Sequence, residues 1–130
     1  MNESVIISGI HNVNSLGVLR GLAKKGIPII LLDIDPHSMV RYSRFISQRL
    51  PCPNPSDSEA AFVQFLMEFG NRLDYKPVII PTGDAEVIAL SRHKDTLDAF
   101  FRIPISPAEI VDLLVNKKRF FQEIIRQAIP

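Results

Sequence analysis

Four groups of residues have the types and spacing to do chemistry. The first is the stretch Gly9-Ile10-His11-Asn12-Val13-Asn14-Ser15, which follows a short β-branched run, Val5-Ile6-Ile7-Ser8. Of the three histidines, only His11 is placed for ligand contact, although a solvent-facing loop histidine is the commoner outcome. The second is Thr82-Gly83-Asp84-Ala85-Glu86. Gly83 permits a tight turn, and the two acids could receive an amino group or line a shared site. As structural residues they are a helix cap at Asp84 and a favourable dipole charge at Glu86, worth about 1 kcal/mol. On the residues alone, this structural role comes first. The third is Asn116-Lys117-Lys118-Arg119. If Asn116 caps a helix, three cations crowd its positive end, and a phosphate there would offset them. If the same residues close the preceding helix, the cations are welcome. The fourth is the pair Asp33 and Asp35 at a strand end, where an acid could hold a ribose or simply face solvent; the solvent role is preferred.

Other chemistries lack their residues. A dinucleotide fingerprint needs GxGxxG, but His11 stands where the second glycine belongs. There is no GxSxG elbow and no acidic cluster ending the first strand. The single cysteine, Cys52, sits between Pro51 and Pro53 without a local base. One cysteine excludes an internal disulfide framework and points to a reducing compartment, with the cytoplasm as the expectation. No CxxC or HExxH metal motif is present. Fifteen Lys and Arg against fourteen Asp and Glu leave a net charge of +1, which argues against a nucleic-acid or acidic-membrane partner. The apolar runs, such as Ile27–Leu32, fall far short of a membrane span, and Met1–Ser4 does not resemble a signal peptide. At 130 residues, 46% hydrophobic and 22% charged, the composition fits one globular domain.

The elements that must position these groups alternate. After the first run, Leu16, Leu19, Leu22 and Ala23 recur at helical spacing and Gly26 closes the segment. Ile27–Asp33 does not alternate in polarity, as expected for a strand covered on both faces. Phe45–Leu50 fits a third strand of moderate quality, and Pro51, Pro53 and Pro55 end it. Ser56 and Glu59 fit a capping box before Phe62, Phe65, Leu66 and Phe69, the strongest amphipathic helix, whose aromatic stripe reads as core. Pro77–Pro81 is a fourth strand, followed by a helix through Val87, Leu90 and Ser91. Phe101–Ile105 suggests a brief edge strand. Ser106, Pro107 and Glu109 fit the start of a short helix to Val115, and Asn116 can cap a last one carrying Phe120, Phe121, Ile124 and Ile125. The expected class is α/β: a Rossmann-like, three-layer domain with a largely parallel sheet of four or five strands and helices on both faces. Right-handed crossovers would then gather the loops Gly9–Ser15 and Thr82–Glu86 at one sheet edge, where such folds bind ligands.

Taken in order, the segments resemble the N-terminal, pre-ATP-grasp domain of carboxylate–amine ligases and carbamoyl-phosphate-synthase-like proteins. The resemblance rests on Val5–Gly9, Leu19–Pro28, Asp33–Ser38, Arg41-Tyr42-Ser43-Arg44, Pro81–Glu86 with Leu90–Lys94, and Asn116-Lys117. It spans essentially the whole chain. It implies a pre-ATP-grasp domain over residues 1–115 and, over 116–130, the start of a linker helix into an ATP-grasp domain in cis. It implies a parent enzyme that uses ATP and Mg2+ to activate a carboxylate as an acyl phosphate for attack by an amine. By position, Gly9, His11, Asn12, Asn14, Gly83, Asp84 and Glu86 would face the substrate cleft, and Lys117 would contact ATP phosphate. Asn116 and Ala128 depart from the acid and glycine usual in the family. Because the family's ATP-binding domain begins where this chain stops, the expectation is a domain fragment with no catalytic residue of its own. The rival readings are a stand-alone nucleotide-binding module and a non-catalytic docking domain. The oligomeric state is left open, a homodimer included.

Overall fold

The computed structural model describes residues 3–9 and 12–129. Four parallel strands form one sheet: β1 (Val5–Ser8), β2 (Ile29–Asp33), β3 (Gln48–Pro51) and β4 (Val78–Pro81), in the order β3-β2-β1-β4. Val5 pairs with both Ile29 and Val78, so β2, β1 and β4 run in register toward one edge. The described residues form six α-helices: α1 (Asn12–Ala23), α2 (Glu59–Gly70), α3 (Asp84–Arg92), α4 (Lys94–Leu97), α5 (Ala108–Val115) and α6 (Lys117–Arg126). The expected α/β, three-layer, Rossmann-like class is the one observed.

The two faces of the sheet follow from the period of two along each strand. Ile7, Ile29 and Leu31 pack with Leu19 of α1 and Val40 on one side. Ile6, Ile30, Leu32 and Ile79 pack with Phe62 and Leu66 of α2, Leu90 of α3 and Leu97 of α4 on the other. Every residue of Ile29–Leu32 is buried, which explains why this strand shows no polar alternation. Phe62 and Leu66 are fully buried, each worth about 2 kcal/mol of transfer free energy. Phe65 and Phe69 stack at 6.3 Å beside them.

Several boundaries differ from those the residue pattern suggests, each for a local reason. Helix α1 begins at Asn12, so most of the polar stretch after β1 is helical rather than loop. Gly26 then ends the segment with φ +69. The third strand is Gln48–Pro51, displaced toward the prolines because Phe45 and Ile46 are taken into a turn in which Ile46 N donates to Ser43 O at 3.3 Å, just after the 3-10 turn Met39–Tyr42. The cap of α2 is Ser58, whose Oγ accepts from Ala61 N at 3.2 Å, and not Ser56. Ser56 is drawn instead into a turn whose Asn54 Oδ1 accepts its N–H at 2.9 Å. Gly83, not Asp84, is the N-cap of α3. Helix α5 starts at Ala108 with Pro107 as N-cap, so Ser106 caps nothing. Phe101–Ile105 contributes only a bridge, Arg102 to Val78, and adds no fifth strand.

Candidate functional site

The chain leaves β1 on one side to build β2 and β3, and returns on the other side as β4. The carboxyl ends of β1 and β4 therefore flank the point where strand order reverses, the usual ligand crevice of open α/β sheets. Gly9 follows β1 and Thr82-Gly83 follow β4, so the two loops singled out from the residues meet here. Thr82 N donates to Ser8 O at 2.9 Å, extending the ladder by one residue.

Side-chain hydroxyls then tie the loops together. Thr82 Oγ1 lies 3.0 Å from Ser8 O and also contacts Gly9 O. Ser15, buried in the first turns of α1, donates from Oγ to Gly9 O and stands 2.7 Å from Thr82 Oγ1. Gly9 has φ +85, where side chains are strained, and a Cβ on it would lie 2.8 Å from Thr82 Oγ1 and 2.9 Å from Glu86 Oε1. A Cβ on Gly83 would collide with Glu86 Oε2. Both glycines are thus required by the Glu86 carboxylate, which packs between the two loops at 1% exposure.

The structure brings Gly9, Gly83 and Glu86 together, with Ser15 and Thr82 as braces. Asp84 and Glu86 do not act as a pair open to the crevice: Glu86 turns inward while Asp84 stays exposed on the first turn of α3. Asn14 is exposed on α1. His11 and the side chain of Asn12 lie outside the described residues. Lys117 is the exposed first residue of α6 and makes none of the contacts of this cluster. Helix α6 packs on α5, which packs on α3. Asn116 does cap α6, its Oδ1 accepting from Arg119 N at 3.2 Å, so Lys117, Lys118 and Arg119 form the positive end of that helix. The alternative, that they close the preceding helix, is excluded.

Asp33, the last residue of β2, and Asp35, just beyond it, are not equivalent. Asp33 does not simply face solvent: its side chain is 7% exposed and its Oδ2 pairs with Arg41 Nη2 at 3.2 Å. A carboxylate engaged in this way does not present itself to a ribose. Asp35 accepts His37 N–H at 2.9 Å and shapes the turn that follows. Cys52 is inert for a clear reason: burial, reinforced by the negative charge of Glu86, pushes its thiol up to about 12.

A second hollow, of 680 Å³, lies between α1 and the segment after β2, with Val13, Leu16 and Arg20 on one wall and Asp35, Met39 and Phe45 among the residues of the other. The residue pattern gives little sign of it. Val13, Leu16 and Arg20 share a helix face, but only the fold of residues 34–45 supplies the opposing wall.

Among the described residues no three His, Cys, Asp or Glu side chains come together to hold a metal ion. No helix among them is long and apolar enough to cross a membrane. Compared with known proteins, the chain matches no family model and no curated protein.

Proposed function

We propose that this chain is the substrate-side, pre-ATP-grasp domain of an ATP-dependent ligase that joins a carboxylate to an amine through an acyl phosphate. The observation that carries the reading is the meeting of Gly9 with Thr82–Glu86 at the strand-order reversal, where open α/β sheets hold their ligands, with both glycines packed against the Glu86 carboxylate. The sequence resemblance supports it by placing the same two segments at a substrate cleft.

In this reading the backbone around Gly9 and Gly83 forms the floor of the cleft, held by the Ser15–Thr82 hydroxyl pair and the Glu86 carboxylate. Asp84, exposed on the first turn of α3, is the acid available to an incoming amine. Asn14, exposed on α1, is assigned to the rim. Lys117 opens α6 among three successive cations, which favours a phosphate neighbour at that helix end. ATP would supply the phosphoryl group and Mg2+ would balance its charge; the magnesium ligands and the ATP-grasp domain in cis are assigned outside this chain. A docking domain is the second reading, favoured by the exposure of Phe121 and Ile125 on α6.

The test is made on the native gene product. An antibody raised against this chain should detect a protein longer by ~150–250 residues, the size of a further domain or two. That product should convert ATP to ADP only when both a carboxylate and an amine are present. A native product of 14.6 kDa that leaves ATP intact would overturn the ligase reading and favour docking.

A further inference from the structure

Among the described residues ten large apolar side chains are exposed, and they fall in two places. Six are on or beyond α5 and α6; the other four, Val13, Met39, Tyr42 and Phe45, all line the 680 Å³ hollow beside α1. Val13 and Met39 are each 80% exposed, a costly arrangement unless something covers them. The hollow's volume lies in the range of small-molecule sites, roughly 300–1,000 Å³. Val13, Leu16 and Arg20 follow one another along one face of α1, and the eight residues from Val13 to Arg20 span ~10 Å of helix. That length suits a ring with a short chain and is too short to seat a partner's helix.

The charges around the hollow are unequal. Arg20 lines it and pairs with no carboxylate among the described residues. Arg44 is not in the lining but lies over the Phe45 ring at 5.0 Å. Arg41 is already bound to Asp33. Asp35 is the one acid in the lining, and its Oδ1 already accepts the His37 N–H. Arg20 is thus the lining cation with no ionic partner among the described residues, beside an apolar floor of Val13, Leu16, Met39 and Phe45.

We infer that this hollow is a binding site for a small apolar monocarboxylate, with its aromatic or branched body against Val13, Met39 and Phe45 and its carboxylate on Arg20. Nothing in this assignment depends on ATP or on a further domain.

The experiment is an amide NMR titration of the full chain with 3-phenylpropionate and with its neutral counterpart, 3-phenylpropanol. The acid should shift the amides of Val13, Arg20, Met39 and Ser43, with low-millimolar or tighter affinity. Arg20→Gln should weaken the acid about tenfold and leave the alcohol unchanged, as the loss of one charge-assisted contact predicts. Val13→Asp, at an exposed position that tolerates it, should abolish binding of the acid. The assignment is overturned if no groove amide moves by about 20 mM ligand, if acid and alcohol bind equally, or if the shifts fall on α5 and α6 instead.

Discussion

Glu86 sits at 1% exposure with its two oxygens against the backbone of Gly9 and Gly83, so the crevice is built around one side chain. Replacing Gly9 by alanine sets a β-carbon against Thr82 and Glu86 at a positive φ. The expected cost is about 2–4 kcal/mol, read as a lowered urea midpoint. Cys52 reports on the same carboxylate. Its thiol is held at about 12 against an ordinary value of 9.0. Between those two values the unfolded chain ionises this group and the folded chain does not. Its effect is therefore absent below pH 9.0 and becomes a loss of stability as pH rises toward about 12. Comparing urea unfolding of the wild type and Cys52→Ala across that window should show a shallower decline in the variant. Lys117 belongs to the proposed ATP site. In the native gene product Lys117→Ala should weaken ATP binding by about 1–3 kcal/mol, as measured by calorimetry. An unchanged affinity would return Lys117 to ordinary surface charge.

Arg41 shows how one contact can position a whole segment. Its guanidinium binds Asp33 at the end of β2, and its carbonyl accepts from Nη1 of Arg49, a residue of β3, at 2.9 Å. The 3-10 turn Met39–Tyr42 is thereby pinned across the sheet edge as the outer wall of the hollow. Arg41→Leu leaves Asp33 a nearly buried charge without its ionic partner. The expected loss is about 2 kcal/mol in chemical denaturation, less than for a fully buried pair because Arg41 is itself 26% exposed. Helix starts proved the least legible elements. Ser56, Asp84 and Ser106 each have the right residue type for a cap, yet Ser58, Gly83 and Pro107 hold those positions. Capping residue types are abundant near every turn, and the choice among them is made by where the packed face must begin. At Asn116 the residues left two readings open, the cap of a last helix or the close of the one before, and the structure decides for the cap, with Oδ1 accepting from Arg119 N.

At the scale of the molecule, β-branched runs separated by helical periods were enough to determine an α/β domain with a parallel sheet. Burial on both faces leaves a strand such as Ile29–Leu32 no room for polar alternation, and that is visible in the residues alone. The same order of segments brings Gly9 and Gly83 to one edge, since parallel strands end together. Side-chain direction was the part only the tertiary structure decided. Asp84 and Glu86 are two residues apart on one helix turn, so a rotation of roughly 200° separates them, and one faces solvent while the other is buried. Asp33 and Asp35 diverge likewise once Arg41 arrives from a different element to claim the first. The hollow beside α1 has walls from segments that are neighbours only after folding. Local periodicity determines which elements form because it acts within a few residues. Charge pairing and cavity shape depend on contacts between distant segments, and those exist only once the sheet has assembled.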